Sequence, residues 1–110
     1  KYGRIAKSDR IEVYSMEIRI TEKAQQFLKA QNKKQIICIY YEQFCWGGRV
    51  NRTVEVSTIE NFIRDTYMKY KVDDFEVYID PRLNFEGDEI IIDLENFFFL
   101  KRLTQKGLSI

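Results

Sequence analysis

The chain contains no histidine, one proline, five glycines and two cysteines among its 110 residues. Each shortage excludes something. Without histidine there is no imidazole to act as a general base, to build a Ser–His triad or to ligate a metal. The G-x-S-x-G elbow and the phosphate-cradling glycine loop are also absent from the sequence. The protein is therefore not expected to be a conventional enzyme. Two cysteines, Cys38 and Cys45, are too few to staple a small secreted scaffold. No apolar run is long enough to span a bilayer, and the first residues carry no apolar signal core. The expected location is the cytoplasm, with no membrane partner.

Charge of one sign is missing as well. The net charge is +1, with acids and bases interleaved along most of the chain. The short basic stretches Asn32-Lys33-Lys34 and Lys101-Arg102 read as solvated ends of elements. Nucleic-acid binders concentrate lysine and arginine on one face to neutralise phosphates, so no nucleic acid is expected.

What is present fits one folded domain. Hydrophobic residues make up 45%, charged residues 32% and aromatics 15%, enough to fill a small core and keep the surface wet. Residues 1–15 read as an extension: a leader, a tag remnant or a first strand, with Met16 a candidate original start. Residues 16–110 read as the domain proper.

Ile11–Tyr14 suggests a short strand, and Met16–Ile20 alternates with strand spacing. Thr21 is placed to cap a helix carrying Ala24, Phe27 and Leu28 on one stripe, with Glu22 near its positive end and Asn32 near its limit. Ile36–Tyr41 is an almost unbroken apolar run, as in a central strand covered on both faces. Gln43–Gly48 is expected to break that strand into a loop, with Val50–Val56 the next strand. Ser57-Thr58-Ile59-Glu60 matches a capping box, predicting a short helix or turn to about Asp65. Tyr67–Val72 and Phe75–Ile79 alternate about Asp73-Asp74, the clearest hairpin in the chain. Asp80-Pro81 ends it, because proline cannot donate to a ladder. Glu86-Gly87-Asp88 is a second turn before the strand Glu89–Leu94. Phe97–Leu103 reads as a last strand, an irregular edge or a short helix. About seven strands and one helix make a β-rich α+β domain.

The order of these features resembles a known family. Ile18-Arg19-Ile20-Thr21-Glu22-Lys23-Ala24 joins strand to helix, and an apolar strand runs into Phe44-Cys45-Trp46-Gly47. Phe75-Glu76-Val77-Tyr78-Ile79-Asp80 and Ile90-Ile91-Ile92-Asp93-Leu94 follow. Over roughly Met16–Leu108 this is similar to the HesB-like domain of A-type iron–sulfur carriers, above all its small branch with a Cys-Cys or Cys-selenocysteine pair before glycine. The resemblance implies a HesB-like fold and a link to iron–sulfur cluster assembly. It also implies cluster ligands at the strand-end cysteine and in a C-terminal C-G-C motif. Cys45 stands at the first of these. The C-terminus, Gln105-Lys106-Gly107-Leu108-Ser109-Ile110, has no cysteine, and Trp46 stands where the second chalcogen of the pair would fall.

Cys45 is the leading candidate for chemistry. A thiolate there can ligate iron or copper or attack an electrophile. Trp46, Gly47, Gly48 and Arg49 are its expected support: the glycines allow close approach, and Arg49 stabilises a thiolate. The competing reading is a small residue packed in a tight turn. One thiolate falls short of the four ligands a cluster or closed zinc site takes. The cofactor is thus unknown, with an iron–sulfur cluster or iron the candidates, and a homodimer would at best pair two Cys45 residues. Cys38, mid-strand among isoleucines, reads as core. Trp46 reads equally as an interface anchor or as packing. Phe97, Phe98 and Phe99 cannot all face one core, so they are read as an aromatic core strand or as a dimer interface. Asp73-Asp74 and Glu86, Asp88 and Glu89 read as turn acids, not cation ligands. Two functions remain open: a divergent HesB-like protein acting in cluster or thiol chemistry through Cys45, or a binding and assembly module that kept the fold and lost the chemistry.

Overall fold

The computed structural model describes residues 4–5, 17–31 and 35–110; the expected strand at Ile11–Tyr14, and Asn32-Lys33-Lys34, lie outside them. The elements run β1 (Arg4–Ile5), β2 (Glu17–Ile20), α1 (Glu22–Ala30), β3 (Ile36–Trp46) and β4 (Arg49–Ser57). A 3₁₀ turn at Glu60–Phe62 precedes β5 (Met68–Val72), β6 (Phe75–Ile79), β7 (Asn84–Phe85), β8 (Glu89–Phe97), β9 (Leu100–Lys106) and β10 (Leu108–Ser109). Among the described residues three of the ten strands, β1, β7 and β10, are two residues long, so seven substantial strands and one helix remain. The fold is a β-rich α+β domain, as the pattern predicts.

The strands form a five-stranded sheet in the order β1-β5-β6-β3-β4, a three-stranded sheet β2-β8-β9 and a small β10-β7 pair. In the larger sheet β3 runs parallel to β6 and antiparallel to β4. In the smaller, β2 runs parallel to β8, and β9 returns antiparallel. Ile37, Ile39, Tyr70, Val72, Phe75, Val77 and Ile79 come from one sheet, and Ile18, Ile20, Ile90 and Ile92 from the other. With Ala24 and Leu28 of α1 they form one core. The alternation read in the sequence between Phe75 and Ile79 is the observed burial pattern, with the odd positions inside.

Helix α1 starts where its chemistry places it. The Thr21 hydroxyl accepts from the Ala24 N–H at 3.3 Å, satisfying one free donor of the first turn. The same hydroxyl donates to Asp93 Oδ1 at 2.7 Å, which ties the helix to β8. Ser57 does not cap a helix; its Oγ accepts from the Ile59 N–H, and the 3₁₀ turn that follows has no side-chain cap. That turn covers the outer face of β3, where Phe62 stacks on Tyr40 at 4.8 Å between ring centroids.

Two expectations are corrected. Gln43–Gly48 does not break β3, which continues as a strand to Trp46. Burial on both faces is confined to Ile36–Ile39, and the residues from Glu42 onward are exposed. The aromatic run is not one core strand either. β8 ends at Phe97, Phe98 and Phe99 turn, and β9 begins at Leu100.

Candidate functional site

The parallel partner β6 pairs with β3 only from Ile36 to Ile39. Beyond that point β3 keeps a single partner, β4, in a ladder that ends at the Trp46–Arg49 pair. The six steps from Tyr40 to Trp46 make a two-stranded ribbon roughly 20 Å long, taking about 3.3 Å per residue. Gly47 and Gly48 close it with φ of 57° and 78°. Positive φ at both central residues matches the right-handed twist of the flanking strands, and glycine meets no Cβ clash there.

Residues directly opposite in the ladder share a face. Cys45 faces out with Val50, followed by Gln43 with Arg52 and Tyr41 with Val54. Trp46 shares the other face with Arg49, and Phe44 with Asn51. The register therefore puts Arg49 across from Trp46, on the face away from Cys45. Cys45 itself is a free, exposed thiol. Val50 is exposed beside it, and on the opposite face Phe44 is exposed and Trp46 is 76% exposed. The tip is apolar and uncovered.

The base of the ribbon is held by a group the sequence does not advertise. Asp80 follows the last residue of β6 and is completely buried. Its N–H donates to the Ile39 carbonyl, closing the β6–β3 ladder. Its Oδ2 then accepts from the Tyr41 N–H at 3.0 Å, taking the place of the next backbone partner. Arg82 forks onto the same carboxylate, with Nη2 2.7 Å from Oδ2 and Nε 3.1 Å from Oδ1, and its own N–H donates to Oδ1. The guanidinium lies 4.7 Å from the centre of the Tyr41 ring. Tyr67 adds a longer hydroxyl contact. Burial alone would raise the carboxyl pKa, but the Arg82 side chain and the two backbone N–H donors outweigh it and hold it at about 2. Aspartate in front of proline reads as a strand end. Only the arginine two residues on hints at a buried ion pair.

Cys38 is fully buried, and burial followed by the nearby Asp80 charge pushes its thiol up to about 12. It lies seven residues from Cys45 on the same strand, an odd number, so the two point to opposite faces. Phe98 and Phe99 sit at the tip of the β8–β9 hairpin, 86% and 101% exposed; the side chain of Phe97 lies outside the described residues. Among the described residues no three Cys, Asp or Glu side chains lie close enough to hold a metal ion. No described helix is long and apolar enough to cross a membrane.

An iron–sulfur cluster does not fit this donor set. One exposed thiol, which belongs to no group of three candidate ligands among the described residues, supplies a quarter of the usual four ligands.

The comparisons bear on the fold. The structure of IscA with the [2Fe-2S] cluster superposes with a TM-score of 0.57, covering 82% of this chain and 84% of that one at 12% identity. Escherichia coli SufA, involved in biosynthesis of iron–sulfur clusters, gives 0.49 at 6% identity. No curated protein matches the sequence. The fold is thus that of a HesB-like domain. The sequence is more specific, since residues 16–108 match the CC/Se motif-containing family, and the chain belongs to that family, with tryptophan following its exposed cysteine.

Proposed function

We propose that this protein is a HesB-like binding module whose contact arm is the β3–β4 ribbon, with Cys45 as its one reactive thiol. The observation that carries the reading is the uncovered tip: Cys45 and Val50 are exposed on one face and Phe44 and Trp46 on the other, on a ribbon clamped at its base. Exposed aromatic side chains on a pre-ordered arm are the usual anchors of protein interfaces, because little entropy is lost when they dock. The thiol adds chemistry at the point of contact. It can attack an electrophile or lend one ligand to a metal that a partner holds, but it does not make a cluster site on its own.

The test has two arms. Anaerobic reconstitution with iron and sulfide, beside Cys45→Ser, is expected to leave well under one cluster per chain in both proteins. Stoichiometric cluster lost in the variant would sink the binding-module reading and make the protein a carrier. For the contact arm, Cys45 is coupled to a benzophenone maleimide and irradiated in native lysate. A discrete adduct is expected that disappears in Phe44→Ser/Trp46→Ser; adducts unchanged by those substitutions would count against an anchoring role.

A further inference from the structure

Strand β4 is an edge of the five-stranded sheet, with β3 on one side and no strand on the other among the described residues. The register determines which of its groups face outward. On β3, the Ile39 carbonyl and the Tyr41 N–H both turn to Asp80, away from β4. Residues opposite each other in an antiparallel ladder turn their backbone groups the same way, and the sense alternates along the strand. Ile39 and Tyr41 lie opposite Val56 and Val54. Val50, Arg52, Val54 and Val56 therefore aim their N–H and C=O groups outward. Among the described residues no other strand or backbone group meets them.

An edge of this kind is a template for another strand unless it is short, bulged, charged or broken by proline. β4 has nine residues, an unbroken register and no proline. Val50, Thr53, Val54 and Val56 add the β-branched side chains that suit a paired strand. The other edges of the two larger sheets are better defended. β1 is two residues long and β2 four, while β9 carries three like charges, Lys101, Arg102 and Lys106.

β4 also matches itself. Two copies related by a two-fold axis pair antiparallel, and outward groups meet only when even-numbered residues stand opposite even-numbered ones. Centring the pair on Arg52 sets two guanidinium groups opposite each other, which is destabilising. Centring it on Val54 leaves Arg49 and Val50 beyond the paired length. Centring it on Thr53 aligns all nine residues and opposes no like charges. Val50 then meets the partner's Val56, Arg52 the partner's Val54, Asn51 the partner's Glu55, and Thr53 its own counterpart. The register also covers an exposed side chain. Val54 and Val56 pack against the core, so Val50, on their face, lies on the core side of the sheet. A two-fold axis normal to the sheet keeps that face common to both copies. Val50, 53% exposed in one chain, is laid beside the partner's Val56. At that end of β4 a cleft of about 200 Å³ separates Val54 and Val56 from Leu103 and Gln105 of β9, and the incoming strand lies along its rim.

We infer that β4 is a self-recognition edge, where a second copy of this chain adds antiparallel about an axis at Thr53 and joins the two five-stranded sheets into one. The two Cys45 thiols then stand on opposite sides of the axis. Each faces its own Val50, and six residue steps between the two positions are roughly 20 Å along the strands alone. The pairing thus assembles no shared cluster site. Phe44 and Trp46 lie on the other face, so the dimer and the contact arm stand or fall separately.

Sedimentation equilibrium of the full chain is expected to show a concentration-dependent two-chain species. The register is read by disulfide trapping with diamide in a Cys45→Ser background. Thr53→Cys stands at a pair whose Cα atoms are about 4.5 Å apart, within disulfide reach, and is expected to give a covalent dimer. Asn51→Cys, whose counterpart is displaced along the strand, is expected to remain a single chain. Arg52→Pro deletes an outward N–H that the chain's own ladder does not use. It is expected to weaken association about tenfold or more, the size of two edge hydrogen bonds lost across the axis. Val50→Lys, at an exposed position, sets an ammonium group against each facing valine and is expected to weaken it comparably. A still-protected Cys38 shows that each variant is folded. A single chain at every concentration, or trapping at Asn51→Cys and not at Thr53→Cys, would overturn the proposal. So would folded variants that associate like the parent, which would assign the dimer to another surface.

Discussion

Cys38 and Cys45 occupy one strand in opposite conditions. Seven residues separate them, roughly 23 Å along an extended chain, on opposite faces, so they cannot form a disulfide with each other. Cys38 is sealed under the 3₁₀ turn side of β3, and its raised pKa keeps it a thiol at neutral pH. Cys45 is in water. A native titration with an aromatic disulfide reagent should therefore count one fast thiol per chain, and a second only after denaturant is added. Cys45→Ser should leave no fast thiol. Two fast thiols in the native parent would mean that the sheet opens around Cys38. This contrast was half legible from the residues alone. A cysteine among isoleucines reads as core, but nothing in Phe44-Cys45-Trp46 distinguishes an exposed tip from a packed turn. The hidden residue was Asp80, since Asp-Pro signals a stop and a buried carboxylate has no local pattern until Arg82 is seen folded over it.

At the scale of elements, the hairpin β5–β6 and the helix declared themselves because each has a buried face, and burial imposes a period of two or about 3.6 on the sequence. The outer half of β3 has no buried face, so no period marks it, and the polar pair Glu42-Gln43 looks like the end of a strand. The β8–β9 turn escaped for a different reason. It places Phe98 at φ 57°, a left-handed conformation that phenylalanine seldom adopts, so residue type gave no turn signal. Gly107, in contrast, is demanded by its place between β9 and β10. Its φ is 112°, and a Cβ there would fall on the Glu89 carbonyl oxygen of β8. Its own carbonyl accepts from the Glu86 N–H beside the β7–β10 pair. Gly107→Ala should cost more than about 2 kcal/mol, combining backbone strain with a clash against another strand. Gly48→Ala also meets a positive φ, but it has open space around it, and should cost about 1 kcal/mol. Urea midpoints of the two variants check the order. A Gly48 variant as unstable as the Gly107 variant would show that the turn, more than the packed corner, limits the fold.

For the molecule as a whole, the Asp80–Arg82 clamp is where the body of the domain and the protruding ribbon meet. The carboxylate touches the end of β6, the Tyr41 N–H of β3 and the arginine that reaches the Tyr41 carbonyl at 3.4 Å. Losing its charge should thus loosen the ribbon and lower global stability together. A carboxyl held at about 2, against 3.8 for the free group, favours the folded state by about 2 kcal/mol once ionised. The sign follows from the depressed value. This stabilisation is complete above roughly pH 4, where the unfolded chain is also ionised, and disappears as the pH falls towards 2. Asp93 and Glu76 are lowered too, so the parent alone cannot isolate the clamp. The comparison with Asp80→Asn can, because asparagine, like the protonated aspartic acid, keeps one oxygen to accept from Tyr41 and lacks both the charge and the second acceptor that Arg82 uses. At pH 7 the variant should be about 2 kcal/mol less stable by urea unfolding. The gap between the two proteins should then close between pH 4 and pH 2, while Trp46, the only tryptophan, reports the ribbon tip throughout. A gap that stays constant down to pH 2 would mean that asparagine disrupts packing and that the buried charge does not hold the arm.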